Sequence, residues 1–194
     1  LLKSLSRKNL FFFGLADMPI QMASVPVAAF IPNYYGQDLG ISLAAVGLVL
    51  ILSRSFDAIT DPLIGWLSDR TVSHWGRRRV WMILAIPVLM VSIYKLFFSD
   101  PNNVSAFDLF IWLTFLWLGW TMLFIPYYAW AAELTADYHE RSRVTGWRSS
   151  IGLAANVVSK LVPAIAIFCC AYGGTRETLF LVGFMLMGLL PVSV

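Results

Sequence analysis

Apolar residues fill most of the chain in long runs that short polar connections separate. A helix needs about 20 mostly apolar residues to cross the hydrocarbon core of a bilayer, so this pattern predicts five membrane-spanning helices and a sixth that is cut short. They lie roughly at residues 10–35, 43–69, 80–98, 106–133, 143–171 and 177–194. No soluble domain or long linker interrupts them.

The chain starts without a methionine and is still apolar in its last residues, so we expect a piece of a longer protein. Its N-terminus has no small-residue cleavage site after a short apolar core. We therefore expect the first helix itself to direct insertion, with no removable signal peptide.

The amino-acid composition indicates a membrane protein. Hydrophobic residues make up 59% of the chain and charged residues 13%, with a mean hydropathy of +0.73, which excludes an ordinary soluble domain. The net charge of +3 could suggest a nucleic-acid partner, but the basic residues sit beside apolar segments and are better explained as topology signals. Cys169 and Cys170 are adjacent in an apolar run, which fits neither a disulfide framework nor a spaced metal motif.

Basic residues concentrate in alternate connections between the predicted helices. They are Lys3, Arg7, Lys8, Arg70 to Arg79, Arg141 and Arg143, whereas the other connections hold Asp38, Asp100 and Asp108. Because Lys and Arg accumulate in cytoplasmic loops, we expect an integral protein of the plasma (inner) membrane with a cytoplasmic N-terminus.

The second predicted helix carries charges within its apolar length. Arg54, Asp57, Asp61 and Gly65 are separated by three, four and four residues, so they share one face. A carboxylate at membrane depth costs at least about 2.5 kcal/mol, which makes two of them a functional-site hypothesis. Binding a hard cation between them, or sharing a proton, would relieve their repulsion. The alternative is a static salt bridge of Arg54 with one aspartate, which leaves the second carboxylate unpaired.

The first and fourth predicted helices also carry polar stripes. Asp17, Gln21 and Ser24 share one face of the first helix, although a lone Asp17 near a helix start is also a candidate cap. The fourth helix mixes hydroxyls with rings along one side, at Thr114, Trp117, Thr121 and Tyr128. Such a stripe is more often packing than a site, yet it is compatible with a glycoside pocket.

The fifth predicted helix presents a second candidate cavity cation, Arg148, whose face Gly152, Ala155 and Ser159 continue. Lys160 lies about a third of a turn off that face and would either enter the cavity or reach toward an interface. The cavity charges are then Asp17, Asp57 and Asp61 against Arg54 and Arg148. A bound Na⁺ or H⁺ would balance this set, whereas counting Lys160 removes the deficit.

The end of the second helix and the loop after it resemble the loop signature of the major facilitator superfamily. The matching residues are Gly65, Trp66, Leu67, Ser68, Asp69 and Arg70, followed by Gly76, Arg77, Arg78 and Arg79. Asp69 would meet a neighbouring helix N-terminus and the arginines, forming a cytoplasmic gate that breaks during alternating access. We predict Gly65, Asp69, Arg70, Gly76, Arg77 and Arg78 as the gate. Basic residues that only fix topology would explain the arginines, but they would not require Gly65 or Asp69.

The stretch from Ser53 to Trp66 closely resembles the cation-site helix of the glycoside-pentoside-hexuronide:cation symporters. A second stretch supports the match, with Pro126-Tyr127-Tyr128, Glu133 to Arg143 and Trp147-Arg148 resembling that family's junction of helices four and five. The resemblance implies an all-α membrane protein. The chain would be the N-terminal six-helix bundle of a twelve-helix major facilitator fold, with the sixth helix truncated.

Carried over by resemblance, Asp57 and Asp61 would bind the coupling cation, with Na⁺ as the metal if the carrier is sodium-coupled. Thr60 and Thr121 would assist them, and Arg54 would be their charge partner. The substrate would be bound by Asp17, Arg148, Tyr128 and Phe124. Three residues depart from the family's pattern: Thr60 replaces Asn, Phe124 replaces a sugar-binding Asp, and Tyr128 replaces Trp. Phe124 argues against a galactoside, and Thr60 leaves Na⁺ and H⁺ both open.

The expected function is secondary active symport of H⁺ or Na⁺ with a glycoside or similar small polar solute. We expect no cofactor beyond the coupling ion, and as partners the solute, the bilayer and a C-terminal six-helix bundle of the same parent chain, with no nucleic acid. The alternatives are a cation-coupled lysolipid or amphiphile transporter and a non-transporting sensor with the transporter fold. An enzyme is not expected, because His74 and His139 fall in loops and no nucleophile and base pair is recognisable.

Overall fold

The computed structural model describes residues 6–74, 76–99, 104–135, 137–170 and 175–193, without the side chains of residues 24–26, 162–164, 166–170 and 175. The described residues form six helical segments: α1 (Arg7–Asp38), α2 (Leu43–Arg70), α3 (Arg77–Phe97), α4 (Ala106–Glu133), α5 (Tyr138–Cys170) and α6 (Thr175–Ser193). The expectations for Lys3, Asp100 and the side chains of Ser24, Cys169 and Cys170 lie outside the described residues.

The all-α membrane class predicted from the sequence is confirmed. By length and composition, α1, α2, α3, α4 and the segment Arg176–Ser193 of α6 can each cross a membrane. The 33 residues of α5 extend for about 50 Å, which exceeds the roughly 30 Å of the hydrocarbon core.

α1, α3 and α5 begin three to five residues earlier than their hydropathy predicts, and the last two show the cause. α5 starts at Tyr138 instead of residue 143, because the Asp137 carboxylate accepts the His139 N–H at 2.9 Å and the Thr135 hydroxyl accepts the Asp137 N–H at 3.1 Å. α3 starts at Arg77 instead of residue 80, directly after Gly76, whose φ of 96° ends the preceding loop. Helix ends of this kind are fixed by capping groups, which an average of hydropathy does not register.

α1 is irregular, and its neighbour compensates for the irregularity. After two α-helical stretches it continues through π-helical turns at Pro26–Phe30 and Tyr34–Asp38. Proline has no N–H to bond the carbonyl four residues earlier, which belongs to Met22. The hydroxyl of Ser159 on α5 donates to that carbonyl at 2.7 Å, and the Asn156 amide donates to the carbonyl of Gln21 at 3.2 Å.

The helices form two packed groups, one around α4 and one around α1. α4 packs against both α2 and α3, α1 packs mainly against α5, and α6 lies against α1 and α3. Gly119 lets α3 approach closely, because a Cβ at this position would lie 2.9 Å from Leu89 Cγ. The Tyr127 hydroxyl donates to the Phe13 carbonyl at 2.9 Å, which joins α4 to α1. α4 thus has one side that meets α2 and also reaches α5.

Candidate functional site

One face of α4 carries the side chains that connect the charged residues of the neighbouring helices. Trp117, Thr121, Phe124 and Tyr128 follow one another at spacings of four, three and four residues, so they form a single stripe. At 1.5 Å per residue the stripe is about 16 Å long. Its first half contacts charged residues of α2 and its last residue contacts α5.

The α2 end of the stripe holds the predicted cation-site residues. The Thr121 hydroxyl donates to Asp61 Oδ1 at 2.8 Å, and Arg54 Nη1 pairs with Asp57 Oδ2 at 3.1 Å. The Arg54 guanidinium carbon lies 3.6 Å from the centroid of the Trp117 ring. The structure therefore brings Arg54, Asp57, Asp61 and Thr121 together at one contact between α2 and α4. Arg54 pairs with one aspartate, as the salt-bridge alternative requires, but the second aspartate has Thr121 as its partner.

Thr60 stands slightly apart from this cluster. Its hydroxyl donates to the Phe56 carbonyl of its own helix at 3.1 Å, so it makes no direct bond to a carboxylate. It lines, however, a groove of about 200 Å³ that also contains Asp57 and Thr114. Among the described residues, no group of three or more His, Cys, Asp or Glu side chains could hold a metal ion. A cation here would thus rely on two carboxylates and neighbouring hydroxyls.

Asp17 is the most deeply buried acid of the site, with 1% of its surface exposed. Gln21 Nε2 lies 3.5 Å from Asp17 Oδ2, at the limit of a hydrogen bond, and Asp17 Oδ1 has no hydrogen-bond partner. Gly152 of α5 makes room for this carboxylate, because a Cβ at position 152 would overlap Asp17 Oδ2. Arg148 of α5 lies one helical turn before Gly152.

Arg148 lies at the α5 end of the stripe. Its guanidinium carbon lies 3.8 Å from the Tyr128 ring centroid, and its buried Nε has no hydrogen-bond partner. The rings of Phe124 and Tyr128 contact each other with centroids 4.0 Å apart. The four predicted substrate residues, Asp17, Phe124, Tyr128 and Arg148, are therefore neighbours. Lys160 is exposed.

At the far end of α2 and α4, three of the predicted gate residues form an ion-pair network. Arg78 Nη2 lies 3.0 Å from Asp69 Oδ1, and Arg78 also binds both carboxylate oxygens of Glu133, at 3.1 and 2.7 Å. Arg77 pairs with the same Glu133. The network joins the end of α2, the start of α3 and the end of α4.

The other predicted gate residues lie outside this network. Arg70 covers the ring of Trp66 at 4.2 Å, Gly65 faces Ile125 across the α2–α4 contact, and Gly76 supplies the positive φ before α3. Glu133 was missed as a gate residue, although its place at the end of α4, in the stretch that resembles the family's junction, was the signal that could have found it.

The sequence patterns did not predict three contacts between helices. They are the Trp117 ring under Arg54, the space that Gly152 leaves for Asp17, and the bond from the Asn156 amide of α5 to the Gln21 carbonyl of α1. Charged groups held among membrane helices are a functional-site hypothesis by default. The fold defines the chain as part of an integral membrane protein.

Comparison with known proteins identifies the family. Residues 12–194 match the family described as MFS/sugar transport protein, where MFS is the major facilitator superfamily. The chain is 31% identical over 162 residues to the inner membrane symporter YicJ of Escherichia coli, covering 81% of this chain and 35% of the relative. It is 30% identical over 158 residues to the putative glycoside/cation symporter YagG of the same organism, covering 79% of this chain and 34% of the relative.

A more distant relative is the sodium-dependent lysophosphatidylcholine symporter 1 of Mus musculus, 23% identical over 167 residues, with 82% of this chain and 31% of the relative covered. The chain belongs to the MFS/sugar transport protein family and forms the N-terminal half of a major facilitator fold. The resemblance to the glycoside-pentoside-hexuronide:cation symporters is confirmed. The chain spans about a third of the length of the relatives it matches.

Proposed function

We propose that the protein is a secondary active symporter that couples entry of H⁺ or Na⁺ to uptake of a glycoside or similar small polar solute by alternating access. The observation that carries this proposal is the stripe on α4. It contacts Arg54 and Asp61 of α2 at one end and, at the other, Arg148 of α5, near the buried Asp17 of α1.

The α2 end has the chemistry of a small cation site. Asp57 and Asp61 are one turn apart, so their carboxylates repel each other unless a positive charge lies between them. Arg54 supplies that charge to Asp57 with a side chain that is 60% exposed. Arg54 is the exposed partner, whereas Asp57 is 17% exposed, so an arriving Na⁺ or H⁺ can replace the guanidinium from the exposed side.

The other end has the chemistry of a solute site. Asp17 and Arg148 retain unpartnered polar atoms, Oδ1 and Nε, although both atoms are buried. Unmet hydrogen-bonding capacity at a buried position is costly, and a polyhydroxylated solute supplies both donors and acceptors. The neighbouring Tyr128 ring offers an apolar face for the C–H patches of such a solute.

The test is solute uptake by the full-length protein in membrane vesicles, with an imposed Na⁺ or H⁺ gradient and a panel of glycosides. Asp57→Asn is expected to abolish cation-dependent uptake. Asp38→Asn serves as the matched control, because Asp38 is exposed at the far end of α1. Full cation-dependent uptake by Asp57→Asn would remove the site assignment, and uptake without any gradient would favour a passive channel.

Phe124 supports a second candidate, a cation-coupled transporter of lysolipids or other amphiphiles. Its ring packs on Tyr128 at the α5 end of the stripe and makes the solute site more apolar, and one distant relative is named a lysophosphatidylcholine symporter. Competition between a lysolipid and a glycoside in the uptake assay distinguishes the two candidate functions. A lysolipid that blocks glycoside uptake without itself accumulating would favour the glycoside, whereas cation-driven accumulation of the lysolipid would favour the amphiphile.

The proposal of a symporter also implies a location, a cofactor requirement and a partner domain. The protein would lie in the plasma (inner) membrane with its N-terminus in the cytoplasm, would use only the coupling ion and no other cofactor, and would catalyse no covalent reaction. A C-terminal six-helix bundle of the same parent chain would close the cavity over the stripe. A sensor that keeps the transporter fold would bind the solute in the same vesicles without accumulating it.

A further inference from the structure

A cavity of about 370 Å³ opens where α1 and α3 begin and where α4 and α6 end. Its floor is apolar, because Leu10 and Met82 line it and are almost fully buried. Its rim is polar and accessible, because Asn9 and Arg79 also line it and are exposed. The cavity is therefore amphipathic, with an apolar floor and a cationic rim.

Arg79 is the arginine of the loop signature that the ion-pair network does not use. Arg77 and Arg78 both pair with Glu133. Arg79 instead has its guanidinium carbon 4.9 Å from the ring centroid of Trp130. In the described part of the chain no acidic group lies within ion-pair distance of Arg79, and no acidic residue lines the cavity. The rim thus carries a positive charge without a counter-charge, and its N–H donors are available.

The position of the cavity in the bundle indicates what meets this charge. The helices around it are long enough to cross a bilayer, so the cavity lies at their boundary with water, where lipid headgroups and tryptophan side chains are found. Phe12 is 68% exposed and lines the same cavity, and the exposed Lys8 precedes it by one turn on α1. Basic pockets between membrane helices of this kind bind anionic lipid headgroups.

We propose that this cavity binds an anionic phospholipid, with the phosphate at Arg79 and Asn9 and the first acyl carbons on the apolar floor. A free phosphate would leave the apolar floor uncovered, and a lipid without net charge would leave the rim without a counter-charge. The site is separate from the α4 stripe, because neither the α2 carboxylates nor Arg148 lines it.

The experiment uses the purified full-length protein in a neutral detergent. Phosphatidylglycerol, phosphatidylcholine with the same acyl chains, and inorganic phosphate are added in separate titrations. The measurement is the melting temperature at each concentration. Phosphatidylglycerol is expected to raise the melting temperature along a saturating curve, whereas the other two should give little rise at the same concentrations.

The variants test the role of the rim charge. Arg79→Gln is expected to raise the half-maximal phosphatidylglycerol concentration roughly 5- to 10-fold, and Arg79→Lys, which keeps the charge, should retain most of the affinity. Arg176→Gln is the matched control, because Arg176 is an exposed arginine that contacts the Phe180 ring at 5.2 Å, at the other end of α6. It should leave the half-maximal concentration unchanged. Arg79→Met takes the place of the glutamine variant if that variant does not fold.

Four results would overturn the proposal. Equal stabilisation by phosphatidylcholine would mean that the headgroup charge is not recognised. Equal stabilisation by inorganic phosphate would make a free anion the ligand. No stabilisation by phosphatidylglycerol would mean that the cavity is closed to lipid in the whole protein. Parental affinity in the glutamine or methionine variant of Arg79, or equal weakening in Arg176→Gln, would remove Arg79 as the recognising group.

Discussion

Gly152 keeps α5 clear of the buried Asp17 carboxylate, and Gly152→Ala puts this contact to a quantitative test. A Cβ at position 152 would overlap Asp17 Oδ2 and lie 2.9 Å from Gln21 Cγ. Because Asp17 is almost fully buried, its carboxylate cannot move out of the way into solvent. Overpacking of this kind costs about 1–3 kcal/mol.

Gly146 provides the control on the same helix. Alanine is favoured over glycine in a helix interior by about 1 kcal/mol, and this gain applies at both positions. A Cβ at Gly146 would meet nothing within 4 Å. The difference in the free energy of unfolding between the two variants therefore gives the cost of the contact. We expect Gly152→Ala to be less stable than Gly146→Ala by about 1–3 kcal/mol.

The assay is thermal unfolding of the two full-length variants side by side, followed by uptake kinetics. Gly146→Ala should be as stable as the unmodified protein or slightly more stable, and Gly152→Ala should unfold at a lower temperature than Gly146→Ala. A displaced Asp17 should also raise KM for the solute and leave the half-maximal cation concentration unchanged. Equal melting temperatures for the two alanine variants would refute the packing argument, whatever the kinetics show.

Two further predictions concern the other contacts of the site. Thr121→Val removes the hydroxyl that donates to Asp61 at 2.8 Å and should raise the half-maximal cation concentration in uptake by roughly 10-fold. Ser92→Ala, which removes a hydroxyl that bonds a carbonyl of its own helix α3, should not, and equal effects would count against Asp61 as a cation ligand. Glu133→Gln weakens both arginine pairs and should lower the unfolding free energy by about 1 kcal/mol at low salt and by less in 1 M NaCl. Glu177→Gln is its exposed control, and a salt-independent loss would mean that the network does not act through charge.

The number of helices and their polar faces could be predicted because both depend on periodicity within one segment. Apolar runs of sufficient length indicate the helices, and the spacing of Arg54, Asp57 and Asp61 places three charges on one face without knowledge of the fold. The spacing of Thr121 and Tyr128 on α4 likewise places them on one stripe.

The contacts between helices could not be predicted in the same way, because spacing within one helix does not fix its register against another. That Thr121 would lie near the α2 carboxylates was expected only through resemblance to a known family. Nothing in the spacing of α5 indicated that Gly152 would face Asp17, or that the Trp117 ring would lie under Arg54. Glu133 was overlooked as a gate residue for a similar reason: its arginine partners lie 55 and 56 residues away along the chain.

The bond from Ser159 to the Met22 carbonyl has a mechanical consequence. A turn of α5 by one residue rotates its side chains by about 100° and would withdraw the hydroxyl from a carbonyl that proline has left without a helical donor. A bare carbonyl in hydrocarbon costs several kcal/mol, so α1 and α5 are held in one register. α1 and α5 should consequently move together as one rigid body when the bundle rocks. Sliding of one helix along another is then expected only at helix interfaces that lack such a bond.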